Sequence, residues 1–301
     1  MSSMIVAVTG ASGFIGRHLC VAAERAGAVV RRVDRESLYA DGLARKLVGA
    51  DVIVHLAARA HVLRESARDP EAEFARANLE LPRRVGAAAK RAGVQRFIFL
   101  SSAGVLGSSS GSEALTDESP TNPHDIYTRS KLAAELALRG DIRDHLDLVI
   151  VRPTVVYGPG APGNFGRLVR AAASGWPLPV GRADAPRSLL GVRNLCDFVL
   201  RVASAPTAQG GSYLVADRET TTVAELARMV AGQAGRKAWL LPVPPWLLSA
   251  ALVGLGRRRD VGRLLAPFVV RSTAASSDLG WSPPYRLAEE IAWTLSVDAV
   301  R

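Results

Sequence analysis

Short apolar runs separated by longer amphipathic stretches mark the first half of the chain. Ile5 to Thr9 reads as a buried strand and Ile15 to Ala26 as a helix ending near Gly27. Ala28 to Val33, Asp51 to Leu56, Arg96 to Leu100 and Leu148 to Arg152 read as further strands, with helices over Pro70 to Ala92 and Asp125 to Leu138. Strands that are apolar nearly throughout and alternate with helices predict a parallel sheet covered on both faces. Right-handed crossovers then give an α/β fold, a Rossmann-type doubly wound sheet.

After Arg152 the rhythm breaks. Prolines and glycines crowd Pro153 to Gly163, and more follow at Gly175-Trp176-Pro177, Pro186, Pro206 and Pro242 to Pro245. This predicts a cofactor-binding domain over 1–160, to which 186–204 returns, and a smaller α+β substrate-binding cap from 161–185 and 205–301. The apolar stretch from Trp239 to Gly256 is interrupted by Pro242, Pro244 and Pro245. Its unbroken part is shorter than the ~20 apolar residues that span a bilayer. It predicts a buried helix from Trp246 to Leu255, with peripheral membrane contact as the lesser alternative, and no integral membrane segment.

Composition narrows this. The 301 residues suffice for one large core or two unequal ones, and the net charge of +10 comes almost wholly from arginine. The arginines are scattered along helices among Asp and Glu, without a long basic tail, so no nucleic-acid partner is expected. An anionic small molecule accounts for the balance. Cys20 and Cys196 provide neither a disulfide framework nor a metal site, and both read as buried small hydrophobes in a reducing compartment. Met4 to Val8 runs straight into a glycine turn, with no signal-peptide pattern, so a cytoplasmic location is expected.

That turn carries the first chemistry. Gly10, Gly13 and Gly16 follow a strand and open a helix, where glycine permits close backbone approach and the helix N-terminus offers free N–H groups to a pyrophosphate. Asp34 closes the second strand, where a carboxylate accepts from a ribose 2′-hydroxyl and repels a 2′-phosphate. It favours NAD; Arg31, Arg32 and Arg35 nearby keep NADP as the alternative. Leu56, Ala57 and Ala58 end the third strand, where the small residues would let a cofactor lie against the backbone.

Tyr127 and Lys131 are four residues apart, hence on one helical face. An ammonium beside a phenol lowers a pKa that starts near ~10, making Tyr127 a usable acid or base. Ser102 follows the Arg96 to Leu100 strand, and its hydroxyl is placed to bond a reacting oxygen.

The chain resembles the extended short-chain dehydrogenase/reductases, particularly their nucleotide-sugar epimerase/dehydratase group. The likeness lies in TGASGFIG at Thr9–Gly16, HLAA at His55–Ala58, FLSS at Phe99–Ser102 and YTRSK at Tyr127–Lys131. It continues through RPTVVYGPG at Arg152–Gly160, RSLLGVRNLCD at Arg187–Asp197 and DLGWSPP at Asp278–Pro284. The resemblance implies a Ser102–Tyr127–Lys131 mechanism in which Tyr127 moves the proton of a sugar hydroxyl. Lys131 would hold the nicotinamide ribose and tune Tyr127. It also implies that Ser12, Phe14, Ile15, Arg35 and Pro153 join the cofactor lining, that Asn78 supports it, and that Asn164, Arg187 and Arg263 contact a substrate diphosphate. Dehydratases of the group carry Asp-Glu where this chain has Ala103-Gly104, which argues against 4,6-dehydration.

The function expected is C4 epimerisation of a UDP-hexose or UDP-N-acetylhexosamine. The alternatives are a C4 keto-reductase of a deoxyamino-sugar nucleotide and a non-catalytic dinucleotide-sensing module. A nucleotide-diphosphate sugar is the expected partner, and a homodimer is expected through the Pro70–Ala92 and Asp125–Leu138 helices.

Overall fold

The structure is a computed structural model and describes residues 3–60, 69–208 and 210–298. In chain order come β1 (Ile5–Thr9), α1 (Phe14–Arg25), β2 (Val29–Val33), α2 (Arg35–Tyr39), α3 (Leu43–Leu47) and β3 (Val52–His55). Then follow α4 (Pro70–Ala75), a π-turn (Arg76–Glu80), α5 (Leu81–Ala92), β4 (Arg96–Leu100), a 3₁₀ turn (Ala103–Leu106), α6 (Ile126–Asp141) and β5 (Asp147–Pro153). The rest comprises β6 (Val155–Tyr157), α7 (Gly163–Ser174), β7 (Arg187–Gly191), α8 (Val192–Ser204), β8 (Ser212–Val215), β9 (Thr220–Thr221), α9 (Val223–Gln233), α10 (Pro245–Gly254), α11 (Arg258–Leu265), α12 (Thr273–Leu279) and α13 (Leu287–Asp298).

Six parallel strands form the main sheet in the order β2-β1-β3-β4-β5-β8. The pleat sends alternate side chains to opposite faces. Val6, Val8, Val54, Ile98, Val149 and Val151 pack with Leu19 of α1 and Leu195 and Phe198 of α8. Ala7, Ile53, Phe97, Phe99, Leu148 and Ile150 pack on the other side with Val85 of α5 and Ala134 and Leu138 of α6. Each large side chain fully hidden in these layers contributes roughly 1.5–3 kcal/mol, which is why the strand sequences carry so few polar residues. Cys20 and Cys196 are buried and unpaired with each other, as small hydrophobes of the first layer.

The chain leaves β1 toward β2 on one side and later enters β3 on the other. Strand order therefore reverses between β1 and β3, and ligands of such sheets bind at the carboxyl edge of that reversal.

The structure departs from the sequence reading in three places. Ser212–Val215, expected in the cap, pairs with β5 and closes the edge of the main sheet. The expected helix over Pro70–Ala92 is interrupted by the π-turn. The helix expected to be buried from Trp246 to Leu255 forms as α10, but Leu248 is its one buried residue. A second small sheet, β6-β7-β9, sits beside the main one. Its packing against α7, α9 and α13 buries Tyr157, Phe165, Leu189, Val230 and Ile291.

Candidate active site

The turn after β1 is shaped by two glycines. Gly10 has φ +69°, and a Cβ on it would lie 2.7 Å from the Ala57 nitrogen. A Cβ on Gly16 would lie 2.2 Å from the Gly10 carbonyl oxygen. Any side chain would thus push the turn off the β3 loop or α1 off the turn. Thr9 ties the same two strand ends together: its hydroxyl oxygen accepts from the N–H groups of Leu56 (3.2 Å) and Ala57 (3.3 Å). The same hydroxyl shares a hydrogen bond with Nδ1 of His55, 2.9 Å away. The His55 imidazole is pushed down to about 3 by burial and by the nearby Lys131, so it stays neutral. Among the described residues its Nε2 is buried without a partner, as is the Thr154 hydroxyl that follows Pro153 at the end of β5.

Helix α1 begins at Gly13, which supplies no side-chain cap, and its first turn holds no acidic residue. The free N–H groups and the positive end of the helix dipole are therefore left for an external anion. With the close-fitted glycine turn, this suits the pyrophosphate of a dinucleotide flanked by Ser12, Phe14 and Ile15.

Asp34 is busier than expected. It caps α2, accepting from the Ser37 N–H at 2.7 Å and from the Ser37 hydroxyl at 2.8 Å, and the Lys46 ammonium stands 3.8 Å from its other oxygen. The Ser37 hydrogen bonds, first of all, hold its carboxyl below the usual range. The carboxylate is therefore charged and exposed, with Arg35 beginning the helix that it caps.

Helix α6 positions the reactive pair. A capping box fixes its start: Asp125 accepts from the Thr128 N–H at 2.8 Å, and the Thr128 hydroxyl accepts from the Asp125 N–H at 3.1 Å. Lys131 is buried. Its ammonium donates to the Leu100 carbonyl at 2.6 Å and lies 4.5 Å from the centre of the Phe99 ring. Thr128 closes on Gly104, where a Cβ would sit 2.8 Å from its Cγ2. These two contacts lay the helix along the segment that carries Ser102. The Ser102 oxygen accepts from the Gly104 N–H at 3.1 Å.

The sequence reading put the ammonium on the phenol, and here the structure corrects it. The carbonyl edge of β4 captures Lys131, and the Tyr127 hydroxyl makes no hydrogen bond among the described residues. Burial, helped by the Asp125 carboxylate, pushes Tyr127 up to about 12. Burial pulls Lys131 down to about 7 against the attraction of Glu135.

A buried amine implies a pH-dependent cost. Its folded pKa lies below the unfolded value, so the cost is full below about pH 7 and fades as pH rises toward the unfolded pKa. Lys131→Met is therefore expected to raise thermal stability relative to wild type at pH 6, by about 1–4 kcal/mol. The gain shrinks at pH 9. Melting temperatures of both proteins at the two pH values check this; equal differences at both would contradict it.

Asn78 is fully buried on the π-turn. Its Oδ1 accepts from the Arg59 N–H (2.7 Å), and its amide group donates to the Arg59 carbonyl (3.1 Å) and the Ser130 hydroxyl (2.9 Å). With both amide hydrogens committed, it braces the loop after β3 against α6. In the cap, Asn164 lies exposed in the first turn of α7 with its Oδ1 accepting from Arg167, and Arg187 of β7 donates to the Ala266 carbonyl at 2.7 Å. The Arg263 side chain is outside the described residues.

The sequence reading missed the support under α6. Glu135, buried one turn beyond Lys131, accepts from Arg152 of β5 at 3.0 Å and 2.5 Å and from the Ser101 hydroxyl. The available signal was a carboxylate eight residues from Tyr127, on the face that must meet the sheet. Among the described residues no group of acidic, His and Cys side chains could hold a metal, and no helix is long and apolar enough to cross a membrane.

A strand-order reversal with a glycine turn, a helix N-terminus without a side-chain cap and, among the described residues, an unpartnered tyrosine hydroxyl fit a dinucleotide-dependent class of enzyme. The chain belongs to the NAD dependent epimerase/dehydratase family, whose model matches residues 6–216, within the extended short-chain dehydrogenase/reductases, and it is an enzyme. It is 32% identical to a UDP-glucose 4-epimerase of Vibrio cholerae, over 94% of this chain and 92% of that one. It is 27% identical to the N-acetyl-alpha-D-glucosaminyl-diphospho-ditrans,octacis-undecaprenol 4-epimerase of Escherichia coli O157:H7, over 98% and 95%. The fold superposes with a TM-score of 0.79 on a UDP-glucuronic acid 4-epimerase from Bacillus cereus solved with NAD, at 20% identity and covering 99% of both chains.

Proposed function

We propose that the protein is an NAD-dependent epimerase that inverts C4 of a UDP-hexose or UDP-N-acetylhexosamine. The observation that carries this reading is the Tyr127 hydroxyl, which makes no hydrogen bond among the described residues and sits on a helix that the Lys131–Leu100 and Thr128–Gly104 contacts lay along the segment carrying Ser102. The 4-epimerases among the relatives support the position of attack.

The turn Gly10–Gly16, Asp34, Leu56 to Ala58 and Pro153 would hold the dinucleotide, which supplies an acceptor and then a donor for the C4 hydride. Tyr127 takes the proton of the C4 hydroxyl as that carbon is oxidised to a ketone. After the sugar turns over, it returns the proton as the opposite face is reduced. Ser102 donates to the same oxygen and steadies its growing charge. Lys131, when protonated, would hold the nicotinamide ribose. Asn164, Arg187 and Arg263 would face the diphosphate, which suits guanidinium donors. The net reaction consumes neither cofactor nor water. The proposal includes a cytoplasmic location, where both small molecules are supplied, and a homodimer formed through α5 and α6, on which Leu136 is exposed.

The test follows anomeric proton signals while the enzyme is incubated with UDP-glucose, UDP-N-acetylglucosamine and their 4-epimers. N-acetylglucosamine on a polyprenyl diphosphate extends the set, since the Escherichia coli relative acts on that conjugate. Interconversion without consumption of added NADH is expected. No interconversion, with stoichiometric NAD(P)H oxidation on a 4-keto sugar nucleotide, would replace the epimerase by a reductase.

A further inference from the structure

The cap carries an apolar surface for which catalysis has no use. Helix α10 is apolar on every side, a composition suited to a core, yet Leu248 alone is buried. Trp246 is 71% exposed and Leu255 73%, with Leu247 and Val253 also exposed. Trp239 and Leu241 precede the helix in the open. Trp176, 71% exposed, joins the same region, because Leu178 exchanges backbone hydrogen bonds of 2.8 Å with Trp239 and Leu241.

Charge identifies the occupant. From Glu225 to Asp260 the chain has six cations (Arg228, Arg236, Lys237, Arg257, Arg258 and Arg259) against two acidic residues, the pair at its ends, and Arg236, Lys237 and Arg257 are exposed. A symmetric contact between two copies of the chain would set this net-positive patch against itself. Exposed tryptophan and leucine bordered by arginine and lysine instead match a bilayer surface: indole rings settle at headgroup depth, aliphatic side chains reach the acyl boundary, and cations meet lipid phosphates. We infer that the α10 surface of the cap docks the enzyme peripherally on a membrane rich in anionic phospholipid. Ten helical residues cannot span it, so the contact is interfacial and reversible.

The experiment is co-sedimentation of the purified full chain with phosphatidylcholine vesicles, with and without phosphatidylglycerol, in the absence of sugar substrate. Its outcome is thereby independent of whether the epimerase reading holds. Binding to the anionic vesicles is expected, weakening as salt is raised and shifting tryptophan emission to the blue. The double variant Trp246→Ser/Leu255→Ser and the variant Arg257→Glu each alter exposed residues and should bind roughly tenfold more weakly or worse. Near-ultraviolet circular dichroism confirms that both are folded. Absence of wild-type binding, or binding unchanged in the double variant, would overturn the inference. So would light scattering that shows a dimer dissociating in the double variant, because a second copy would then be the occupant.

Discussion

Tyr127→Phe is expected to lower turnover by about 10²–10⁴-fold, the contribution of a positioned acid–base group, and to leave cofactor affinity unchanged. The lost hydroxyl makes no hydrogen bond among the described residues, so none of these is stranded and stability should stay within about 0.5 kcal/mol of wild type. The pH profile makes the assignment specific. The active form needs the phenol ionised and the amine protonated. With Tyr127 at about 12 and Lys131 at about 7, the fraction in that form grows tenfold per pH unit up to about 7. Above it, each gain in phenolate is matched by loss of ammonium, and kcat/KM levels off. Lys131→Met, besides losing activity, should lose the inflection and keep rising through pH 9. Turnover of Tyr127→Phe within tenfold of wild type, or an inflection that survives in Lys131→Met, would remove these residues from the mechanism.

How much of this was legible in the sequence depends on what each feature leaves in the letters. The strands were readable because two-sided burial demands continuous apolar runs, as in Val52 to Val54 and Phe97 to Leu100. The glycine turn was readable because close approach admits no Cβ. The exposure of α10 was not, since an apolar helix has the same composition in a core and on a surface. Nor was the placement of β8: a four-residue strand after a run of breakers looks like any short piece of a cap. Helical spacing put Tyr127 and Lys131 on one face but could not say where a long flexible amine would end, and the Leu100 carbonyl decided that. The π-turn that aims Asn78 is a slip in hydrogen-bond register with no compositional trace. The cap made by Asp34 was visible in principle, because an aspartate at a strand end directly before a helix is an N-cap signal.

The same site makes a prediction about stability, through Glu135. Its carboxylate and the Arg152 guanidinium are both buried, sharing two hydrogen bonds between α6 and β5, with Ser101 as a third partner. Glu135→Ala strands a buried guanidinium and a buried hydroxyl, so it should cost about 3–5 kcal/mol, read as a lower urea midpoint. It should also lower the Lys131 pKa further, because the nearest charge favouring the ammonium is gone, and move the kcat/KM inflection to lower pH. Glu135→Leu combined with Arg152→Met removes both charges and fills similar volume. It should recover most of the lost stability, since desolvation of an ion pair offsets much of its attraction. The inflection should stay displaced in that double variant, because packing is restored and the charge is not. Recovery of stability without recovery of the profile separates the two roles of Glu135: it braces the helix, and it keeps a proton on the lysine one turn away. If Glu135→Ala unfolds within about 1 kcal/mol of wild type, the pair bears little of the fold, and α6 must be held by Leu138 and Ala134 against the sheet.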